Sequence, residues 1–405
     1  MPTSLHTKTS DPLGRYYTQS MVASLLVTSM RSSAPTLAID LGAGDGALVS
    51  EASKIWKATQ FVTVDIDSNA GSVSLAAQNG SAFRHHIGDA LDRYLHKKLD
   101  LSLGQADVAL CNPPYIRPCW QKHFSEILED AGLSHVLPKI QDAPSDLLFI
   151  AQNLRFLKSG GRLGLILPDG LIAGEKYAKF RETLASNHKI ERVIELPRRI
   201  FKNTDAKAHV LVLSKDVKDE FPISVQRIEQ NGSLSSPIAL TADAARQRMD
   251  YSFYSGAGAS PSKGNEIRAY GISVRRGAYS SAQRNNFEFP VFHTTDFCLT
   301  SDWMPSRFSV SKKVAAEHPG VFAQAGDILV ARVGRNLESK ICMVRRGAAL
   351  VTDCILVLRV LPEFRKPILS YLRSDAGQAA LHRATHGVAA RFITPDALLS
   401  LEFPL

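Results

Sequence analysis

Ala106-Asp-Val-Ala-Leu-Cys-Asn-Pro-Pro-Tyr115 joins two kinds of sequence with no transition between them. Ala106 to Cys111 is a short apolar run of the kind that forms a buried strand. Two consecutive prolines then stop it. Each fixes its own φ and biases the residue before it away from the helical region, so Asn112 and Pro113 are held extended and stiff. In an open α/β sheet, ligands sit in the crevice beyond the carboxyl ends of the strands, and a turn at the end of this strand projects there. The turn offers the side-chain amide of Asn112, the carbonyl of Pro113 and the ring of Tyr115. Two acceptors beside an aromatic platform suit an exocyclic amine on a planar base. The structural alternative is a rigid Pro-Pro turn with a half-buried tyrosine.

Upstream, Leu37 to Asp40 predicts a strand, Leu41-Gly-Ala-Gly-Asp-Gly46 a loop and Ala47 to Trp56 a helix. Glycines after a strand let the backbone pass close to a ligand and aim the next helix at it. Gly42 and Gly44, with Ala47, also fit the dinucleotide fingerprint. Asp40 favours a ligand carrying an ammonium group, because a carboxylate repels a pyrophosphate. Phe61 to Asp65 predicts a second strand, ending in an acid placed to accept from both ribose hydroxyls. With Asp67 and Ser68 following, a helix N-cap is the alternative for Asp65. Phe83 to Ile87 predicts a third strand. Asp89 beyond it is either an acceptor for the amine of an adenine ring or a turn residue. Before all of these, Gly14-Arg-Tyr-Tyr-Thr-Gln19 leads into Met21 to Met30, whose periodicity predicts a helix.

Downstream, Ile116 to Pro144 reads as a surface excursion over the crevice. Helical stretches at Asp146–Leu157 and Tyr177–Asn187 then alternate with strands at Arg162–Pro168, Arg192–Leu196 and Ala208–Leu213. This alternation predicts an α/β, Rossmann-like domain with a mostly parallel sheet over residues 1–245. The chain turns polar from Asp216, with Asn231–Pro237 as a linker and Ser255–Gly264 as a second flexible segment. Short strands within 325–334 and 349–359 and a helical Leu369–Leu381 predict an α+β or mostly β domain over residues 246–405.

With 405 residues the chain has room for two or three domains, each with its own core. Five cysteines, scattered and without a C-x-x-C pair, predict reduced thiols in a cytoplasmic protein. His85-His86 lacks partners at ligand spacing, so no metal site is expected. The start lacks a signal-peptide pattern and no apolar run approaches a membrane span. Net charge is +9, and from Arg246 onward 21 Lys and Arg face 13 Asp and Glu, so nearly all of the excess lies in the C-terminal part. A basic module beside a near-neutral one reads as a binder of polyanions.

The order of Gly14 to Gln19, Asp40 to Gly46, Asp65, Asp89 and Asn112-Pro-Pro-Tyr115 resembles that of gamma-class DNA amino-methyltransferases. These are adenine N6 methyltransferases with a C-terminal target-recognition domain, and the likeness covers about the first 215 residues. The resemblance implies that Thr18 and the glycine loop, with Gly42 and Gly44, hold S-adenosyl-L-methionine together with Asp40. It implies that Asp65 binds the ribose and Asp89 the cofactor's adenine amine. It gives Phe201, in Arg199-Ile-Phe201, the role of a second aromatic contact to the target base, with a core phenylalanine as the alternative. Residues 325–334 and Arg391 to Pro404 resemble one recognition domain of type I restriction specificity subunits. Such subunits carry two of these domains, and this chain has room for one.

The implied reaction is methyl transfer to the N6 amine of a flipped-out adenine in double-stranded DNA, with Asn112, Pro113 and Tyr115 as the catalytic turn. Arg275, Arg276, Arg284, Arg307, Arg332 and Arg335 are the candidates for phosphate or guanine contacts. The expected setting is a restriction-modification system, with a separate restriction endonuclease as partner. Three alternatives stand beside this one: a methyltransferase acting on protein glutamine or RNA guanine, a non-catalytic DNA-recognition subunit, and a nicotinamide-linked oxidoreductase.

Overall fold

A computed structural model describes residues 18–30, 35–68, 82–197, 200–201, 207–218, 222–229, 231–255, 266–385 and 391–403. Gly14 to Tyr17, Arg199, most of Ser255–Gly264 and Pro404 lie outside these residues. No helix among the described residues is long and apolar enough to cross a membrane. The chain divides into two compact units, Met1–Tyr251 and Ser252–Leu405.

The first unit is built on one sheet. Its strands are β1 (Leu37–Leu41), β2 (Gln60–Asp65), β3 (Ala82–Ile87), β4 (Ala106–Cys111), β5 (Leu157–Pro168), β6 (Lys189–Glu195), β7 (Ala208–Ser214), β8 (Ile223–Arg227) and β9 (Ile238–Leu240). They lie in the order β3-β2-β1-β4-β5-β7-β6-β8-β9. The pairs from β3 through β5 are all parallel, β7 runs antiparallel between β5 and β6, β8 joins β6 in parallel, and β9 closes antiparallel. The sheet is thus mostly parallel, and its buried strands read as near-continuous apolar runs because both faces are covered. Beyond β1 the chain goes to β2 on one side, and β4 lies on the other. The crevice opens at that switch point.

The helices are α1 (Ser20–Ser29), α2 (Ala47–Ile55), α3 (Leu95–Lys98), α4 (His123–Asp130), α5 (Ser145–Phe156), α6 (Asp169–Ala173), α7 (Ala178–Asn187), α8 (Ala242–Gln247) and α9 (Tyr251–Tyr254). Val22, Leu26 and Met30 of the first helical stretch, with Leu48 and Trp56, share one core with Val108, Leu110, Ile166, Val210 and Val212 of the sheet. Each such side chain contributes about 1.5–3 kcal/mol when fully buried. Every residue of α5 is buried, as expected for a helix enclosed on all sides.

Three expectations are corrected here. Ile116 to Pro144 does border the crevice, through Ile116, Pro118, Cys119, Gln121 and Phe124, but it is not only a surface excursion: it contains α4, whose Phe124, Ile127 and Leu128 are buried. Residues 231–237 are no linker, because β8 and β9 flank them and add to the sheet, with Gly232 at φ +82° turning the chain between. The unit boundary falls at Tyr251/Ser252 rather than at Arg246. The physical reason is that Met249 N–H donates to Ile172 O at 3.0 Å, and Asp250 sits 3.5 Å from Lys207 in the first unit's interior.

The second unit holds β10 (Ser273–Arg276), α10 (Lys312–Glu317), β11 (Phe322–Gln324), β12 (Ile328–Ala331), β13 (Val333–Gly334), β14 (Ile341–Met343), β15 (Ala348–Leu350), β16 (Ile355–Arg359), α11 (Arg365–Arg373), α12 (Asp375–Ala384), β17 (Arg391–Phe392) and α13 (Pro395–Leu399). Its main sheet is antiparallel, ordered β10-β16-β12-β14. Side chains alternate across it as the strand period requires. Ile328, Val330, Leu356 and Leu358 pack toward α11 and α12, while Leu329 and Val357 pack toward Phe292 and Phe308. The single helix expected at Leu369–Leu381 is two, because Ser374 caps a new N-terminus by accepting from Gly377 N–H at 3.2 Å.

Candidate active site

Four parallel strands deliver their carboxyl ends to one rim: β1 at Leu41, β2 at Asp65, β3 at Ile87 and β4 at Cys111. A cavity of about 280 Å³ opens there, lined by Thr18, Gly42, Gly44, Asp65, Asp89 and Asn112 among others. Six residues singled out from sequence therefore share one wall.

The glycine loop is shaped by its backbone. Gly42, Gly44 and Gly46 have φ of +80°, +55° and +76°, a region costly for residues with a Cβ. Gly42 N–H and Ala43 N–H both donate to Val64 O, at 2.8 and 3.0 Å. A Cβ on Gly42 would stand 2.9 Å from the ring of Phe149, which also lines the cavity. Asp65 fixes the loop from β2, its Oδ2 accepting from Gly44 N–H at 2.7 Å and its Oδ1 from Asp67 N–H at 2.9 Å. Asp65 thus satisfies backbone donors and also lines the cavity. The same is true of Asp89, which accepts from Leu91 N–H at 2.8 Å and lines the wall.

Asp40 differs from the other acids. It lies behind the lining, 1% exposed, and neither carboxyl oxygen has a partner among the described residues. Burial, with Asp65 and Asp45 adding like charge, pushes its pKa well above the ordinary carboxylate range. The Cys111 thiol at the end of β4 is also pushed up, by burial and then by Asp40.

The Asn-Pro-Pro-Tyr turn is fixed at both ends. Asn112 Nδ2 donates to Thr18 Oγ1 at 3.0 Å. The Tyr115 hydroxyl lies 3.2 Å from Asn112 Oδ1 and 3.1 Å from Ile166 O, and it can donate to either. From the next helix, Ser145 Oγ donates to Pro114 O at 2.6 Å and Ser145 N–H donates to Ile116 O at 3.1 Å. Asn112 and Pro114 line the cavity, whereas Pro113 is buried and Tyr115 faces β5. The turn thus spans from the cavity to the neighbouring strand, and Asn112 belongs to both sides.

Phe201 corrects an expectation. It is 2% exposed and packs in the core with Leu196, Ile200 and Val210, so it is not an aromatic face presented to a base. Sequence reading missed Phe149, Ser145 and Ile66. Ile66 is an isoleucine 60% exposed on the cavity wall directly after Asp65, and its place in the strand-end series was the available signal. Phe149 gave none, because every residue around it in α5 is buried.

The arginines of the second unit separate by their partners. Arg284 donates to Asp296 Oδ2 at 2.6 Å and Val291 O at 3.2 Å. Arg332 is partly buried and donates to Asp353 O at 2.7 Å, and burial draws its pKa down. These two act as struts within the unit. Arg276 is half-exposed and paired with Asp353. Arg275 and Arg335 are exposed, and their side chains make no ion pair or hydrogen bond among the described residues.

The strand order, the glycine loop and the cavity define a Rossmann-like methyltransferase fold. The model of the family described as N-6 DNA Methylase matches residues 4–236, and the chain belongs to that family, which takes its methyl group from S-adenosylmethionine. Among solved structures, the type IIG restriction endonuclease BpuSI is 13% identical with a TM-score of 0.53, over 97% of this chain and 59% of that one. At that identity the likeness establishes the fold. A methyltransferase subunit of a type I restriction-modification system from Streptococcus thermophilus is 22% identical over 59% of this chain and 53% of that one, with a TM-score of 0.46. The chain thus spans little more than half the length of these relatives.

Proposed function

We propose that this chain is a site-specific DNA adenine N6-methyltransferase, with the first unit carrying the chemistry and the second recognising the target. The observation that carries this reading is the double membership of Asn112, which is part of the cavity wall and of the turn anchored by Tyr115.

The residues present fit S-adenosylmethionine. The oxygens of Asp40, unpartnered among the described residues, suit its ammonium group, the backbone of Gly42 and Gly44 on the cavity wall suits its amino-acid portion, and Asp65 and Asp89 suit its ribose and adenine amine. When bound, it supplies a methyl group on a positively charged sulfur. The chain's own contribution is orientation. An adenine extruded from the duplex costs a few kcal/mol, and stacking on Tyr115 returns about 1–3 kcal/mol. Asn112 Oδ1 and the Pro113 carbonyl accept from the N6 amine and favour a pyramidal nitrogen with its lone pair exposed. Holding that nitrogen in a near-attack geometry supplies most of the acceleration. The proton leaves after transfer, so no general base is assigned.

The setting we infer is cytoplasmic, as the modification enzyme of a restriction-modification system with a separate restriction endonuclease. The test is label transfer from methyl-labelled cofactor to duplexes with and without adenine. Label in N6-methyladenine of the first duplex alone is expected. Label entering only protein glutamine or RNA guanine would overturn the reading.

A further inference from the structure

At one end of the second unit's main sheet, three pieces of chain meet around a single carboxylate. Strand β10 ends at Arg276 opposite Leu356, and β12 ends at Ala331 opposite Ile355. The turn at Asp353 leads into β16. Arg332 N–H donates to Cys354 O and its Nε to Asp353 O, both at 2.7 Å, which ties β12 to this turn through main-chain oxygens. Arg276 Nε donates to the same carbonyl at 3.1 Å, and its Nη2 to Asp353 Oδ2 at 2.9 Å. The backbone carbonyl therefore does the joining; of the two carboxylate oxygens, Oδ1 accepts from the neighbouring Cys354 thiol at 3.4 Å and Oδ2 orients Arg276.

That orientation has a use. The Arg276 side chain is 50% exposed, and no described residue takes its Nη1. In the loop that follows β12, Lys340 and Arg335 make no ion pair among the described residues, and Lys340 Nζ stands 3.9 Å from where a Cβ on Gly334, the residue before Arg335, would lie. A carboxylate beside two guanidinium groups, those of Arg276 and Arg332, weakens phosphate binding, so polyanion attraction does not explain it. A guanidinium fork held in one rotamer, in contrast, is what reading a guanine edge in the major groove requires.

We propose that Asp353 is a positioning residue for target recognition: it holds Arg276 to read the edge of one base pair, while Lys340 and Arg335 contact flanking phosphates. This rests on the reading of the second unit as a DNA-recognition module. The experiment is a binding selection from a randomised duplex pool with the full-length protein, followed by sequencing of the bound fraction and a salt titration. D353A and R276K are expected to flatten the preference at the same single position by about ten-fold or more. R276K keeps the charge, so its salt dependence stays that of the unaltered protein. D353N retains an acceptor oxygen and is expected to keep part of the preference, which separates orientation from misfolding. K340A is expected to weaken binding to all sequences alike and to lower the salt slope by about one. Unaltered preferences in D353A and R276K would overturn the proposal. A protein that binds selectively but methylates no adenine would sink the enzymatic reading and leave this one standing.

Discussion

Asp40 is a buried carboxyl group whose oxygens have no partner among the described residues, a costly arrangement unless a cation arrives. Because its folded pKa is raised, its ionisation opposes folding. The protonated form carries the stability, which declines as pH rises from the unfolded carboxylate value of about 3.9 toward the raised folded value. Two outcomes follow. Without cofactor, D40N should be more stable than the native sequence above that window, by thermal unfolding. With cofactor, binding should release a proton, seen as buffer-dependent heat in calorimetry; D40N should lose that release and bind more than ten-fold more weakly. Equal proton release in D40N would remove Asp40 from the site. The sequence announced this acid, the glycines and Asn112 by their positions after strands. It gave no access to partners supplied from afar: Asp296 for Arg284, Asp353 for Arg332, or the core around Phe201.

Among elements, the carboxyl end of β5 and its neighbours β6 and β7 is fastened by a buried charge cluster. Lys207 Nζ lies 3.0 Å from Glu195, 3.5 Å from Asp250 and 3.6 Å from Asp169, and His209 Nε2 lies 3.0 Å from Asp169. Burial alone would raise both aspartates. The His209 hydrogen bond and Lys207 hold Asp169 well below the ordinary range, and Arg248 with Lys207 holds Asp250 down. Depressed carboxylates contribute stability above their unfolded value of about 3.9 and lose it as pH falls below that. Acid unfolding should therefore begin near pH 4. Lys207→Met leaves three carboxylates facing each other and should cost about 3–5 kcal/mol in a denaturant titration. A cost under about 1 kcal/mol would mean that the cluster is not what holds these strands. The parallel strands were readable because burial on both faces makes them plain apolar runs. β8 and β9 were not, because they pair at the margin of the sheet with polar residues between them, and neither was α4, whose buried face is only three residues.

Across the whole molecule, charge and chemistry occupy different parts of the chain. The cavity is lined wholly from the first unit, and the positive excess lies almost entirely from Arg246 onward. DNA affinity should fall linearly in log–log form with salt, by about 0.9 per phosphate neutralised. Cofactor affinity, set inside a cavity, should change far less over the same range. Parallel salt dependence of the two would argue that the basic surface is not a nucleic-acid interface. At the largest scale the sequence read well in its first half and poorly in its second. The second unit's strands are two to five residues long, too short for periodicity to register.

The turn after β4 carries the central claim, and one substitution addresses it most directly. Methyl transfer to an adenine duplex should be measured for Asn112→Ala under single-turnover conditions, alongside cofactor affinity. The expected result is transfer reduced at least about a hundred-fold with cofactor affinity within a few-fold. Transfer at the unaltered rate would contradict the account.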